Sequence, residues 1–228
     1  MKLLAFDTSN QALSLAILED EHLLAQTTLN IKKNHSITLM PAIDFLMNSL
    51  DMKPTDLDRI AVAQGPGSYT GLRIAVATAK TLAHTLKIEL VGVSSLLALV
   101  PEQVEGLVIP IVDARRNNVY AGFYQSGQAV RPEAHLPLAE VLEMAGTADQ
   151  PVTFVGETAT FAEQIKDAIP QAAIQSTLPD AATIARLGLD LPAQSIHDFV
   201  PNYLKRVEAE ENWLKTHQES SDSYIQRL

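Results

Sequence analysis

Short apolar runs broken by polar turns open the chain. Residues 2–7 read as a buried strand, and residues 12–18 and 22–29 follow as two antiparallel neighbours around the acidic turn Glu19-Asp20-Glu21. From about His35 to Leu50 the apolar period lengthens to that of a helix, with Ile37, Ile43, Leu46, Met47 and Leu50 near one stripe. Pro41 lies inside that stretch and marks either the helix start or a kink. Residues 59–63 predict another buried strand. Gly65-Pro66-Gly67 then turns the chain into a long helix from about Thr70 to Leu86. A strand over 88–93 and a helix over 94–100 complete this half.

The same order then returns. Residues 107–113 form a strand that ends in an aspartate, as the first strand does. Strands over 118–124 and 128–131 follow, then a helix over 137–145, a strand over 152–155 and helices over 159–169 and 180–189. Strand–strand–strand–helix–strand–helix therefore occurs twice, with a boundary near 101–106. This predicts an α/β protein of two ribonuclease-H-like lobes, the architecture of the actin-like, sugar-kinase and Hsp70 ATPase superfamily. The lobes are expected at 1–103 and, smaller, at 104–202. A charged C-terminal helix over about 203–228, with Trp213 as its lone large anchor, is expected to return to the first lobe. Such a fold does not by itself set a function.

Composition narrows the partners more than the fold. With 228 residues at 46% hydrophobic content, the chain can fill one large core or two modest ones. It has no cysteine, which excludes disulfides and thiolate metal sites and fits a reducing compartment. The formal net charge is −10, so any contact with RNA is expected to run largely through a partner. No run reaches the roughly 20 apolar residues of a membrane span, and the apolar start up to Phe6 is too short for a signal sequence. A soluble, cytoplasmic protein with no membrane partner is the expectation.

Few segments carry candidate chemistry. Asp7-Thr8-Ser9 at a strand end can hold a magnesium-bound phosphate in this fold, or simply form a turn whose side chains cap backbone N–H groups. Asp113, at the matching place in the second half, leads the hairpin Arg115-Arg116-Asn117-Asn118, whose tip can face a cleft or solvent. Gly65 to Arg73 lacks the Gly-Lys-Ser/Thr ending of a P-loop, and either binds an anion at the helix start or sets the helix angle. The six histidines form no H-x-x-x-H or H-E-x-x-H pair, so no metal site is expected. No intrinsic cofactor is expected either; weak ATP or ADP binding through Asp7, Thr8, Ser9 and Asp113 stays open.

Together these segments resemble the TsaB family. The resemblance is carried by Leu4 to Ser9, His35-Ser36 with Leu39 and Pro41, the nine residues Gly65 to Arg73, Asp113-Ala114-Arg115 with Val119-Tyr120, and Pro201 with Tyr203-Leu204. Lys205 stands where the family usually has Arg. The resemblance implies a subunit related to the catalytic transferase TsaD but without its active centre. Ser95 and Leu99 stand where the transferase has metal-binding histidines, Pro179 where it has a metal-binding aspartate, and Gln11 and Ala12 where it has an acidic pair. The implied role is a non-catalytic partner in forming threonylcarbamoyl-adenosine at position 37 of tRNAs reading codons that begin with A. The implied partners are TsaD, the P-loop ATPase TsaE and, when alone, a second copy, with tRNA met only through the complex. An ATP-dependent kinase or ATPase of the actin-like superfamily is the alternative. The partner surface is expected on the first two helices, among Leu39, Ile43, Leu46, Met47 and Leu50 and Leu72, Ala75, Val76, Ala79, Leu82 and Ala83, some of which must face the protein's own sheet.

Overall fold

The computed structural model describes residues 1–31, 34–101 and 103–205. The first lobe runs β1 (Lys2–Asp7), β2 (Leu13–Glu19), β3 (His22–Leu29), α1 (His35–Asn48), β4 (Arg59–Gly65), α2 (Tyr69–Leu86) and β5 (Glu89–Ser94). The second runs β6 (Leu107–Asp113), β7 (Asn118–Gln125), β8 (Gln128–Pro137), α3 (Leu138–Gly146), β9 (Val152–Gly156), α4 (Ala162–Ala168) and β10 (Ala173–Ser176), followed by α5 (Ala181–Leu189). The two sheets have orders β3-β2-β1-β4-β5 and β8-β7-β6-β9-β10, so the duplication reaches down to strand order. In each sheet the first three strands pair antiparallel and the rest parallel.

Period-two alternation assigns the faces of the first sheet. Leu4, Phe6, Leu15, Ile17, Ile60 and Val62 point to α1 and α2. Leu3, Ala5, Ala16, Leu18, Ala61 and Ala63 point the other way, against Ala181, Ala182, Ile184 and Ala185 of α5. Both faces are covered, so the strands read as continuous apolar runs. Alanines on the α5 side let that helix lie close: a Cβ added at Gly188 would stand 2.7 Å from the Cβ of Ala61. Arg59 closes the end of α5. Its Nη1 donates to the carbonyls of Gly188, Leu189 and Leu191 at 2.7, 2.9 and 3.0 Å, satisfying acceptors that the helix leaves open. Its Nε donates to Glu89 at 2.8 Å.

The second lobe corrects two expectations. Residues 94–100 form no α-helix, only a 3-10 turn at Leu97–Leu99. Ser94 Oγ accepts from the N–H groups of Leu96 and Leu97, both at 3.1 Å, and the following side chains go into a core instead of a helix face. Leu96, Leu99 and Val100 cover Val108, Val112, Tyr124 and Val155 on the open face of the second sheet. Ser94 Oγ also donates to Glu133, which accepts from the Tyr124 hydroxyl. The second correction concerns 181–202, which packs on the first lobe rather than the second. After α5, Gln194 N donates to Leu90 O and Asn202 N to Gln64 O, both at 2.8 Å, and Lys80 Nζ holds the carbonyls of His197 and Phe199 at 2.9 and 2.8 Å. Each lobe therefore hands on the segment that covers the other lobe's sheet, and the second lobe ends near residue 180.

The helix expected over 203–228, with Trp213, lies outside the described residues beyond 205; residues 203–205 themselves are not helical. Pro41 neither starts nor ends α1. The helix begins at His35, capped by the Asn34 side chain, which accepts from Ser36 N at 3.0 Å.

Candidate functional site

The glycine motif and the end of β1 build one structure. Thr8 Oγ1 donates to Gly71 O, and Ser68 N donates to Ser9 O, both at 2.7 Å. A Cβ at Gly71 would lie 2.0 Å from Thr8 O, and one at Gly67 2.5 Å from Ser9 O. The glycines thus exist to dock the start of α2 onto the β1 turn, and Thr8 is spent on that contact.

Asp7 is fully buried behind this turn. Its Oδ1 accepts from Ser9 N at 2.6 Å, while Oδ2 has no partner. Burial pushes its pKa up to about 6 against the bonds from Ser9 and a smaller pull from His35. Proton linkage then fixes a sign. A carboxyl whose folded pKa stands above its unfolded value of 3.8 contributes stability at low pH, and that contribution is lost as pH rises through about 6. Asp7→Asn keeps the acceptor for Ser9 and removes the charge. It is expected to be more stable than the parent at pH 7, by up to about 3 kcal/mol, with the gap closing below pH 4. Urea titrations at pH 4 and 7 measure it; an Asn variant less stable at pH 7 contradicts the reading.

Two adjoining cavities, of about 510 and 500 Å³, occupy the cleft between the lobes and share Asn10, Gln11, Asp113 and Glu157. Of the four sequence candidates, Ser9 and Asp113 line the cleft; Asp7 and Thr8 do not. Ser9 Oγ and Asn10 Oδ1 are buried without partners. Asp113 N donates to Glu157 Oε2 at 2.9 Å, and Asp113 Oδ1 accepts from Arg115 N at 2.7 Å. Burial, with the Asp113 charge adding to it, holds the Glu157 carboxyl above its usual range. Leu99 and Pro179 both line the larger cavity, and Ser95 is buried. Among the described residues no three His, Cys, Asp or Glu side chains gather as metal ligands. Among them, too, no helix is long and apolar enough to cross a membrane.

The expected partner surface needs correction. Leu39, Ile43, Leu46, Met47, Leu72, Ala75, Val76, Ala79 and Ala83 are buried in the core of the first lobe, and Leu50 and Leu82 are half-buried against it. The apolar stripe of a helix is what its own sheet takes, and the four-residue ridge at 75, 79 and 83 is the inner face of α2. What faces outward on α1 is Ile37, Met40 and Phe45, at 68, 47 and 66% exposure. The sequence signal was present: a Met and a Phe standing off the core stripe. Beside them a narrow groove of about 110 Å³ runs between α1 and α2, lined by Met40, Ile43, Met47, Leu82 and Leu86.

Two five-stranded mixed sheets of identical order, with a cleft between them, define a two-lobed α/β protein built on a duplicated unit. The sequence matches the family model for TsaD, tRNA N6-adenosine threonylcarbamoyltransferase, over residues 22–213. It is 42% identical to the tRNA threonylcarbamoyladenosine biosynthesis protein TsaB of Bacillus subtilis, over 95% of this chain and 99% of that protein. The Escherichia coli TsaB is 30% identical over 55% of each chain. The solved structure of YeaZ from Pseudomonas aeruginosa superposes with a TM-score of 0.74 at 27% identity, covering 89% of this chain and 99% of that one. The chain belongs to the TsaB family of tRNA threonylcarbamoyladenosine biosynthesis proteins.

Proposed function

We propose that this chain is the non-catalytic partner subunit in the formation of N6-threonylcarbamoyladenosine at position 37 of tRNAs reading A-starting codons. It heterodimerises with the transferase TsaD and supports it, TsaE joins the pair, and the assembly works in the cytoplasm. Alone, the chain pairs with a second copy through the same face. The observation that carries this reading is the exposure of three large apolar side chains of α1, Ile37, Met40 and Phe45, with Met40 also lining the groove between α1 and α2. All three stand on the outward half of α1, and large apolar side chains left exposed on one helix mark a protein interface. A partner helix laid along α1 and α2 supplies the roughly 800 Å² per side of a stable complex. The resemblance implies that Ser95, Leu99 and Pro179 stand at the transferase's ligand positions, and the hydrocarbon side chains of Leu99 and Pro179 cannot coordinate a metal.

Phe45→Asp tests this. The residue is exposed, so the variant is expected to keep the parent's circular dichroism and melting temperature. Its affinity for TsaD is expected to fall about tenfold to a hundredfold, read as lost co-elution in size exclusion. A folded variant that co-elutes normally refutes this surface.

A second reading, an ATP-dependent enzyme, draws on the unpartnered Asp7 Oδ2 at the end of β1 and on the size of the cleft. Calorimetry with ATP and magnesium separates the two. Micromolar binding with turnover favours the enzyme, and weak or absent binding without turnover favours the partner subunit.

A further inference from the structure

Tyr69, Arg73 and Tyr203 form an exposed stack at the start of α2. The two tyrosine ring centroids lie 5.0 Å apart at 31°. The Arg73 guanidinium carbon sits 4.3 Å from the Tyr69 ring centroid, and Arg73 Nε donates to the Tyr203 hydroxyl at 3.2 Å. This cluster pins the returning chain to α2, yet each tyrosine keeps 40% exposure, more than an anchor requires. Tyr69 is also a wall of the cleft cavity of about 500 Å³, with Arg115 and Lys205 among its other walls. Ser9 and Asn10, whose buried side-chain oxygens lack partners, line the same cavity.

The opposite wall is strained. Arg115, Arg116 and Asn117 have φ of 68, 54 and 58°, three successive non-glycine residues in the left-handed region. Each costs free energy that glycine would avoid, and such strain concentrates at binding sites. The turn is held by Asn118 Nδ2, which donates to the carbonyls of Arg115 and Arg116 at 3.2 and 3.1 Å. Its result is an arginine on the cleft wall. Arg115 and Lys205 thus stand on the wall of one cavity, with Arg73 stacked behind its Tyr69 wall, in a chain whose net charge is −10. Asp113 and Glu157 also line this cavity; Asp113 Oδ1 is engaged by Arg115 N, and Glu157 Oε2 by Asp113 N.

We propose that this mouth takes an unpaired nucleotide of the tRNA. The base stacks on the tyrosine rings, phosphates meet Arg115, Lys205 and the outer nitrogens of Arg73, and the acceptors of Ser9 and Asn10 take a hydroxyl or amino group. Tyrosine faces interleaved with cations are the common means of holding single-stranded nucleic acid. The inference rests on the tRNA-modification reading and deepens it, because this chain then adds its own contact to an RNA held mainly by the partner.

A free nucleotide shares this chemistry, so the experiment separates the sources. The chain, the transferase and tRNA are mixed and irradiated at 254 nm, and nucleotide adducts are mapped by mass spectrometry. Adducts on the peptides carrying Tyr69 or Tyr203 are expected. The variant Arg115→Glu with Lys205→Glu is expected to weaken tRNA binding by the complex about tenfold to a hundredfold. Its dependence on log salt should flatten by about two units, while co-elution with the transferase persists. Adducts confined to transferase peptides, together with unchanged tRNA affinity in the variant, overturn the inference. So does a variant that binds tRNA normally while ATP abolishes the tyrosine adducts, since the mouth is then a free-nucleotide site. If the parent chain does not join the transferase, the scaffold reading fails by itself. Irradiation of the chain alone with tRNA at low salt then decides the inference by the same adducts.

Discussion

An aspartate at Ala79 is expected to leave the chain unfolded at 37 °C. Ala79 has no exposed surface and lies on the inner ridge of α2 with Ala75 and Ala83, among Leu4, Phe6, Ile60 and Val62. Among the described residues the one buried cation is Arg59, which is already engaged by Glu89 and the carbonyls at the end of α5. The side chain either stays charged and desolvated or takes up a proton, and either way the cost with overpacking is several kcal/mol, about 4 or more. A domain of this size has roughly 5–15 kcal/mol in all. Soluble yield and a thermal melt by circular dichroism check it. A native melt would mean that this ridge faces outward after all.

Gly71→Ala is expected to lower stability by about 3 kcal/mol or more, a severe effect for a single methyl group. The new Cβ would stand 2.0 Å from Thr8 O, a buried backbone atom at the end of β1 that cannot step aside cheaply. The start of α2 must then lift off the β1 turn, breaking the Thr8 Oγ1 bond to Gly71 O and the Ser68 N bond to Ser9 O. Gly146→Ala is the control, because a Cβ there meets nothing within 4 Å. Urea midpoints of the two variants give the comparison; equal midpoints would show that the glycine motif is not a close-packed joint.

Most of the fold was legible because its strands and long helices announce their period. β1, β4 and α2 stand within a residue or two of where alternation, apolar runs and the glycine turn placed them. Three features were not legible, each for a physical reason. The stretch 94–100 has helical composition, but Ser94 caps a 3-10 turn and the second sheet takes its leucines. β10 is four residues with one half-buried apolar side chain, too short and too polar to show a period. The residues of the expected surface on the first two helices could not be apportioned, because an apolar stripe says which face is buried, not what buries it; Leu39 and Ala79 went to their own sheet. At the cleft, Asp113 was readable from its repeat of Asp7. The partnering of Tyr69 with Tyr203 was not, since the two stand far apart in sequence and meet only when the chain returns along β4 and α2.

On the proposed function, the chain supports threonylcarbamoyl transfer without performing chemistry in its own cleft. Reconstitution of the modification of adenosine 37 with TsaD, TsaE, donor adenylate and tRNA tests it most directly, comparing the parent chain with Asp7→Asn and Asp113→Asn. Both variants keep their hydrogen-bond acceptors and leave the α1 face untouched. The expected result is product formation within about twofold of the parent for both, and loss of product for Phe45→Asp in proportion to its lost affinity for TsaD. A folded, complex-forming Asp113→Asn that drops product formation by a factor of a hundred would place chemistry in this cleft, and the same loss in Asp7→Asn would place it at the buried end of β1; either contradicts the claim.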